Sequence, residues 1–287
     1  MQNQEISFEK VPNGEYTRIS DMATGKDGSI FAADRRNSRV FLFDSKGQCQ
    51  SIWDTQSDHS VKVRFPAAIA VDERGYVYVV CRNEIQIRTP QGKWIGGFSV
   101  DFSPKDIEVD QFKNIYLLGL KDDQLVHKYM PDGKFSVSFG RSFDHADPRI
   151  QRYYTGGNLA VLDEAVIVTY TVPYRIEIYT FDGQLIRKME RPEIEFKPNF
   201  EIKEKTRRFR GNSRGLRIWS FKDKIYHVYF LQNKGLQLDI WNLNGKFITG
   251  LPLNIRDFLF GDRDEVYYKK SSLEGASIYK GLFKLTD

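Results

Sequence analysis

A unit of about forty residues recurs along this chain, and that periodicity limits the fold more than any single residue does. DGSIFAADRRNSRVFLFDSKG (Asp27 to Gly47) returns as RGYVYVVCRNEIQIRTPQG (Arg74 to Gly92) and KNIYLLGLKDDQLVHKYMPDG (Lys113 to Gly133). Looser copies follow in DEAVIVTYTVPYRIEIYTFDG (Asp163 to Gly183), DKIYHVYFLQNKGLQLDIWNLNG (Asp223 to Gly245) and DEVYYKKSSLEGASIYKGLFKLTD, the last 24 residues. Each copy reads as two β-strands joined by a polar loop, then a tight turn whose Gly supplies a positive φ. No stretch shows a helical period.

One further strand precedes each pair (SDMATG, AAIAVD, KDIEVD, NLAVLD, LRIWSF, RDFLFG), and in the first five copies another follows the turn. Four strands per unit is the organisation of a propeller blade. The expectation is an all-β, six-bladed β-propeller with four antiparallel strands per blade, a single domain over residues 1–287. Its blades would span 16–56, 64–102, 103–140, 155–191, 214–252 and 253–287. The last copy runs out before its outermost strand, while Ile6 to Val11 is strand-like and unassigned. The N-terminal strand is therefore expected to complete the last blade, because an open sheet edge at the seam would leave the ring held by side chains alone.

Asp34 to Val40, DRRNSRV, resembles an NHL repeat, and the chain as a whole resembles six-bladed propellers of the NHL and gluconolactonase-like group. That resemblance implies two activities. Gluconolactonase-like propellers hold a divalent ion at the axis with carboxylates and an Asn from the inner strands. Some NHL propellers bind single-stranded RNA on the loop-bearing face.

The formal charge of +5 is local. Lys197 to Arg217 holds eight Lys/Arg against two Asp/Glu, and the rest of the chain 35 against 36, which argues against unspecific polyanion binding by the whole surface. No stretch is apolar for the eighteen or so residues of a membrane span, and MQNQEISFEK lacks the build of a signal peptide. Cys49 and Cys81 form no CxxC pair and are expected as free thiols. A cytoplasmic location is favoured, with an exported form lacking its leader also compatible.

Up-and-down strands alternate their connections between two faces. The long insertions, Asp54 to Arg64, Arg141 to Thr155 and Arg191 to Ser213, all fall on the face that carries the connections between blades. Long loops in a compact domain bind something or stay unstructured. KEKTRRFRGNSRGLR (Lys203 to Arg217) has seven basic side chains and one acidic, and reads either as a solvated excursion or as a grip for an anion. The expected binding residues are Arg207, Arg208, Arg210, Arg214 and Arg217, with Arg149, Arg152, Tyr153 and Tyr154 beside them. Arginine forks with aromatic rings suit carboxylates, phosphates or stacked bases. The favoured function is a non-catalytic platform, monomeric outside any complex, for a partner protein or anionic ligand, needing no cofactor.

The competing class is a metal-dependent, lactonase-like hydrolase. Aligned inner strands place Asp21, Ala68, Asp106, Asn158, Leu216 and Asp257 in one column, where Asp21, Asp106, Asn158 and Asp257 suit a hard cation by ligand type. Lys105 and Arg256 in the neighbouring column would neutralise it. Structural closure of inner strands by Asp and Asn is the simpler role. His59, His127, His145 and His227 make no zinc-binding spacing, and no phosphate-binding glycine loop is present.

Overall fold

A computed structural model describes residues 6–7, 19–54, 61–144, 147–194, 196, 198–203, 206–211, 213–221, 223–253, 258–260, 265–272 and 275–282. Side chains are described throughout these except at 6–7, 149, 152–153, 198–203, 206–211, 213–214, 221 and beyond 253. The short strand β1 (Ile6–Ser7) comes first. Five four-stranded sheets follow, each made of strands consecutive in the chain. The first holds β2 (Ile19–Thr24), β3 (Ile30–Asp34), β4 (Arg39–Phe43) and β5 (Cys49–Trp53). The second holds β6 (Pro66–Val71), β7 (Val77–Cys81), β8 (Glu84–Arg88) and β9 (Trp94–Ser99). The third holds β10 (Asp106–Val109), β11 (Ile115–Lys121), β12 (Gln124–Tyr129) and β13 (Phe135–Arg141).

A short helix, α1 (Pro148–Tyr154), leads to the fourth sheet, of β14 (Gly157–Val161), β15 (Ala165–Tyr170), β16 (Arg175–Thr180) and β17 (Leu185–Glu190). A separate two-stranded ribbon, β18 (Pro198–Lys203) and β19 (Thr206–Gly211), precedes the fifth sheet. That sheet holds β20 (Ser213–Phe221), β21 (Lys224–Leu231), β22 (Gly235–Asn242) and β23 (Phe247–Leu253). The chain is an all-β propeller with four antiparallel strands per blade.

A six-bladed propeller was the expectation, and this is corrected: the chain forms five blades, each of four consecutive strands. The last repeat contributes only β24 (Phe258–Phe260), β25 (Glu265–Ser272) and β26 (Gly275–Leu282). Its four-stranded sheet is composite, ordered β1-β26-β25-β24, with Ile6 opposite Lys280 and Ser7 opposite Tyr279. The expected pairing of the N-terminal strand is thus present at Ile6–Ser7, while residues 8–11 lie outside the described residues. Helix α1 and the ribbon also lie where the sequence shows only loops. Pro148 opens the helix, where a missing N–H costs nothing, and Asp147 O accepts from Ile150 N and Gln151 N at 3.0 Å.

The contacts divide the chain into two compact units, residues 1–117, 129–134 and 257–287 on one side and 118–128 and 135–256 on the other. Within the first, the innermost strands β24, β2, β6 and β10 lie side by side; within the second, β14 lies beside β20. Second strands are buried on both faces, as in IFAAD of β3, VYVVC of β7 and AVIVTY of β15. That is why they read as unbroken apolar runs and not as alternating ones. Outermost strands such as β9 and β17 are mostly exposed.

Most of the turns that close the first-to-second and third-to-fourth hairpins share one construction, β14–β15 and β20–β21 excepted. The amide of the fourth residue donates to the first carbonyl, as in Gly47 N to Asp44 O (2.9 Å), Gly92 N to Thr89 O (2.8 Å) and Gly245 N to Asn242 O (3.0 Å). The fourth residue takes a left-handed φ, from 77° at Gly245 to 86° at Gly92, the geometry of a type I turn followed by a glycine bulge. Lys113 occupies the same position with φ 66°. Asp44, Asp72 and Asp110 cap their own turns, each carboxylate accepting two backbone amides at 2.8 to 2.9 Å.

Candidate functional site

The motif that carries the NHL resemblance braces its own hairpin. Asp34 is fully buried; its carboxylate accepts from Asn37 N at 3.2 Å and Asn37 Nδ2 at 2.8 Å, and Arg39 Nη2 stands 3.7 Å away. These bonds hold Ser38 at φ 55°, and its Oγ accepts from Phe65 N at 3.1 Å. The motif is therefore structural in this chain.

The expected binding residues separate into three groups. Arg149, Arg152, Tyr153 and Tyr154 all belong to α1. Tyr154, expected as a surface ring, is only 3% exposed, packed with Ile150 and Val172 and against Phe143 and Phe196. This corrects its assignment: the ring holds the helix down and cannot stack on a base. Gln151 Nε2 ties α1 to the β11–β12 turn through Asp123 Oδ1 at 3.0 Å, and Ser142 N donates to Asp123 O at 3.1 Å.

Arg207, Arg208 and Arg210 lie on β19. The register runs from Pro198 opposite Gly211 to Lys203 opposite Thr206, with Arg207 facing Ile202, Arg208 facing Glu201 and Arg210 facing Asn199. Strand alternation puts positions 208 and 210 on one face of the ribbon and 207 and 209 on the other. Arg214 and Arg217 are not part of the insertion; they belong to the innermost strand β20, opposite Phe230 and Val228. Arg217 is half-buried, with its guanidinium 6.0 Å from the Trp219 ring centre. Gly215 between them lets β20 approach β15: a Cβ there would meet Tyr170 O at 2.3 Å, and Gly215 N donates to Thr171 O at 2.8 Å.

The axial column differs from its sequence alignment at β20. The pairing shifts between Gly215 and Arg217, so Leu216 is a bulge residue and Arg217 takes the position opposite Val228. The same shift occurs at Ser20 and Ala67, which leaves Asp21 opposite Ala33 and Ala68 opposite Val80. Asp21 Oδ2 accepts from Ile69 N of the neighbouring sheet at 3.0 Å, and Asp106 Oδ1 accepts from Ile107 N at 3.0 Å. Both carboxylates are buried and engaged with backbone, Asp21 across to the neighbouring sheet and Asp106 within its own strand. Asn158 is half-buried on β14, its backbone bonded to Thr169 Oγ1; Asp257 lies outside the described residues. Among the described residues no three His, Cys, Asp or Glu side chains are grouped to hold a metal.

Sequence reading missed a set of buried polar centres on the third strands. Glu177 of β16 accepts from Tyr170 Oη and Tyr179 Oη, and Arg175 Nε lies 3.3 Å from its other oxygen. Asp239 of β22, its side chain fully buried, accepts from Tyr174 Oη at 2.7 Å, Tyr229 Oη at 3.2 Å and Arg191 Nη1 at 3.0 Å. Burial pushes the Asp239 carboxyl above the usual carboxylate range, against the pull of those donors. Burial also opposes the charge on Arg191, but its bonds to Asp239 and Glu193 outweigh this and raise its pKa. On β8, Gln86 Nε2 donates to Lys62 O (3.1 Å) and Arg88 Nη2 to Val61 O (2.5 Å). The Asp239 and β8 centres fasten connections between sheets onto the blades, through Arg191 and through Val61 and Lys62, while the Glu177 centre braces its own sheet. His227 of β21 is fully buried, and neither ring nitrogen has a hydrogen-bond partner among the described residues.

No known protein family matches the chain, and no curated protein resembles it closely in sequence. Solved structures do resemble it. A catalytically inactive virginiamycin B lyase from Staphylococcus aureus with quinupristin is 13% identical at TM-score 0.63, over 96% of this chain and 87% of that one. A gluconolactonase from Xanthomonas campestris is 13% identical at TM-score 0.59, over 94% and 88%. A β-propeller domain from Myceliophteria thermophila is 9% identical at TM-score 0.54, over 96% and 99%. At these identities the likeness is one of fold.

Proposed function

We propose that this chain is a non-catalytic recognition propeller, acting as a single domain, which engages an acidic protein surface through the basic connection between its fourth and fifth blades. The observation that supports the reading is the ribbon itself. The most basic stretch of the sequence is organised as paired strands β18 and β19, which sets Arg207, Arg208 and Arg210 at fixed spacing. Fixing the backbone positions of these arginines lowers the entropic cost of pairing them with carboxylates. Arg149, Arg152 and Tyr153 on α1 and Arg214 on β20 belong to the same proposed surface. The test is fluorescence anisotropy with a poly-glutamate peptide and an oligouridine of equal charge. Peptide binding that is lost when Arg207, Arg208 and Arg210 become Ser supports the proposal. Peptide affinity unchanged by that substitution refutes it, and preference for the oligouridine with a steep salt dependence transfers the site to RNA.

The second reading is a lactonase-like hydrolase, favoured by the gluconolactonase among the structural neighbours. It requires a divalent ion held by Asp21, Asp106, Asn158 and Asp257, and the engagement of the Asp21 and Asp106 carboxylates with backbone amides weighs against it. A thermal shift on adding calcium, manganese or zinc that disappears in Asp106→Ala would establish that reading.

A further inference from the structure

A cavity of about 480 Å³ opens beside the Arg191–Asp239 pair, within the range of small-molecule sites. It is formed by the segment after β17, the β21–β22 turn and strands β21 to β23. We propose that this cavity binds a small neutral polyhydroxylated ligand of the monosaccharide class, a site independent of the arginine ribbon.

Charge balance argues for neutrality. Arg191 and Lys234 line the cavity together with Glu193 and Asp239, so an ionic ligand gains no net attraction. The hydrogen-bonding inventory argues for hydroxyls. Arg191 spends Nη1 on Asp239 and Nε on Glu193, while Nη2 makes no hydrogen bond among the described residues. Lys234 has no ion pair among the described residues, although it lines the same space. Gln237 donates both to Lys234 O and to Leu236 O, leaving its Oε1 to accept. The exposed Asn233 amide offers both functions. A hydroxyl both donates and accepts, and so suits every one of these groups, where a carboxylate would use only the donors.

The walls supply shape. Phe247 is 37% exposed, with the Arg191 guanidinium 4.6 Å from its ring centre and the Trp241 ring edge-on at 5.3 Å. Gly250 keeps the floor open: a Cβ there would stand 2.8 Å from Asp239 Oδ1 and 3.6 Å from Arg191 Nη1. The smallest side chain would therefore press into the pair that anchors the cavity.

The test is saturation-transfer NMR on the full chain with D-glucose, D-mannose and D-galactose, and with D-mannuronate and D-mannosamine as charged controls. At least one neutral hexose is expected to bind saturably, with a Kd of about 1 to 10 mM. The rim variant Asn233→Ala/Gln237→Ala is expected to weaken it by about fivefold or more. Gly250→Ala is expected to abolish it, and the rim variant decides if Gly250→Ala does not fold. Absence of any saturable hexose signal overturns the proposal. So does binding that both variants leave intact, or saturation by mannuronate alone, which would make this an anion site.

Discussion

Tyr174 Oη donates to Asp239 Oδ2 at 2.7 Å, a bond between residues 65 positions apart that joins the β15–β16 connection to strand β22. The same hydroxyl accepts from Trp241 Nε1 at 3.1 Å. Tyr174→Phe removes one donor and one acceptor from a buried cluster, and is expected to lower stability by about 1 to 2 kcal/mol in urea unfolding. Asp239→Ala leaves Arg191 and two tyrosine hydroxyls without their acceptor, and a loss of about 3 to 5 kcal/mol is expected. Equal effects of the two variants would mean that the carboxylate is not the centre of the network.

His227 supplies a pH prediction. Burial pushes its pKa down to about 3 in the folded chain, far below its ordinary value near 6.5. The unfolded chain therefore takes up a proton that the folded chain refuses, so stability is intact above about pH 6.5 and falls as the pH drops towards 3. The slope attributable to this one group is about 1.4 kcal/mol per pH unit over that window. His227→Leu should leave stability at pH 7 nearly unchanged and flatten the acid limb, measured by urea midpoints at pH 7 and pH 5. Parallel acid limbs in the two proteins would rule out this role.

The shared turn geometry predicts opposite signs for two substitutions. Lys113 takes φ 66° where the other turns place glycine, so Lys113→Gly is expected to stabilise by about 1 kcal/mol. Gly92 has φ 86°, and an added Cβ would stand 2.5 Å from Trp53 Nε1. Gly92→Ala should cost more than the ~1 to 2 kcal/mol of the left-handed backbone alone, and should perturb Trp53 fluorescence. Thermal unfolding of both variants checks the pair.

The two cysteines should differ in reactivity. Burial pushes the Cys81 thiol up to about 11, whereas Cys49 is only half-buried near the edge of its sheet. At pH 8, iodoacetamide followed by mass spectrometry should show Cys49 modified first and Cys81 protected until the chain unfolds. Equal rates would contradict the burial of Cys81.

The blade pattern was legible because it is local: alternating strands, a polar hairpin and a glycine turn repeat within each unit, and the structure keeps them in place. Two kinds of information were not local. Leu216 aligns in sequence with Asp21 and Ala68, but the bulge shared by β2, β6 and β20 makes it the counterpart of Ser20 and Ala67 and gives the column position to Arg217, a register that nothing in LRIWSF marks. Glu177 and Asp239 sit among apolar neighbours in RIEIY and QLDIW, where alternation assigns them to a solvent face; third strands have both faces covered, so those carboxylates are buried on donors distant in sequence. Tyr154 misled for the reverse reason. A polar-aromatic ring in a basic insertion looks like a contact residue, yet its apolar body seals α1 against Val172 and Phe143.

The pairing of Ile6 with Lys280 sets an order of events during synthesis. The strand holding Ile6 is made before the five consecutive blades and the strand holding Lys280 after them, so every other described sheet has all its strands before this one does. A chain released before β26 is made leaves β1 as a bare strand available to other nascent polypeptides.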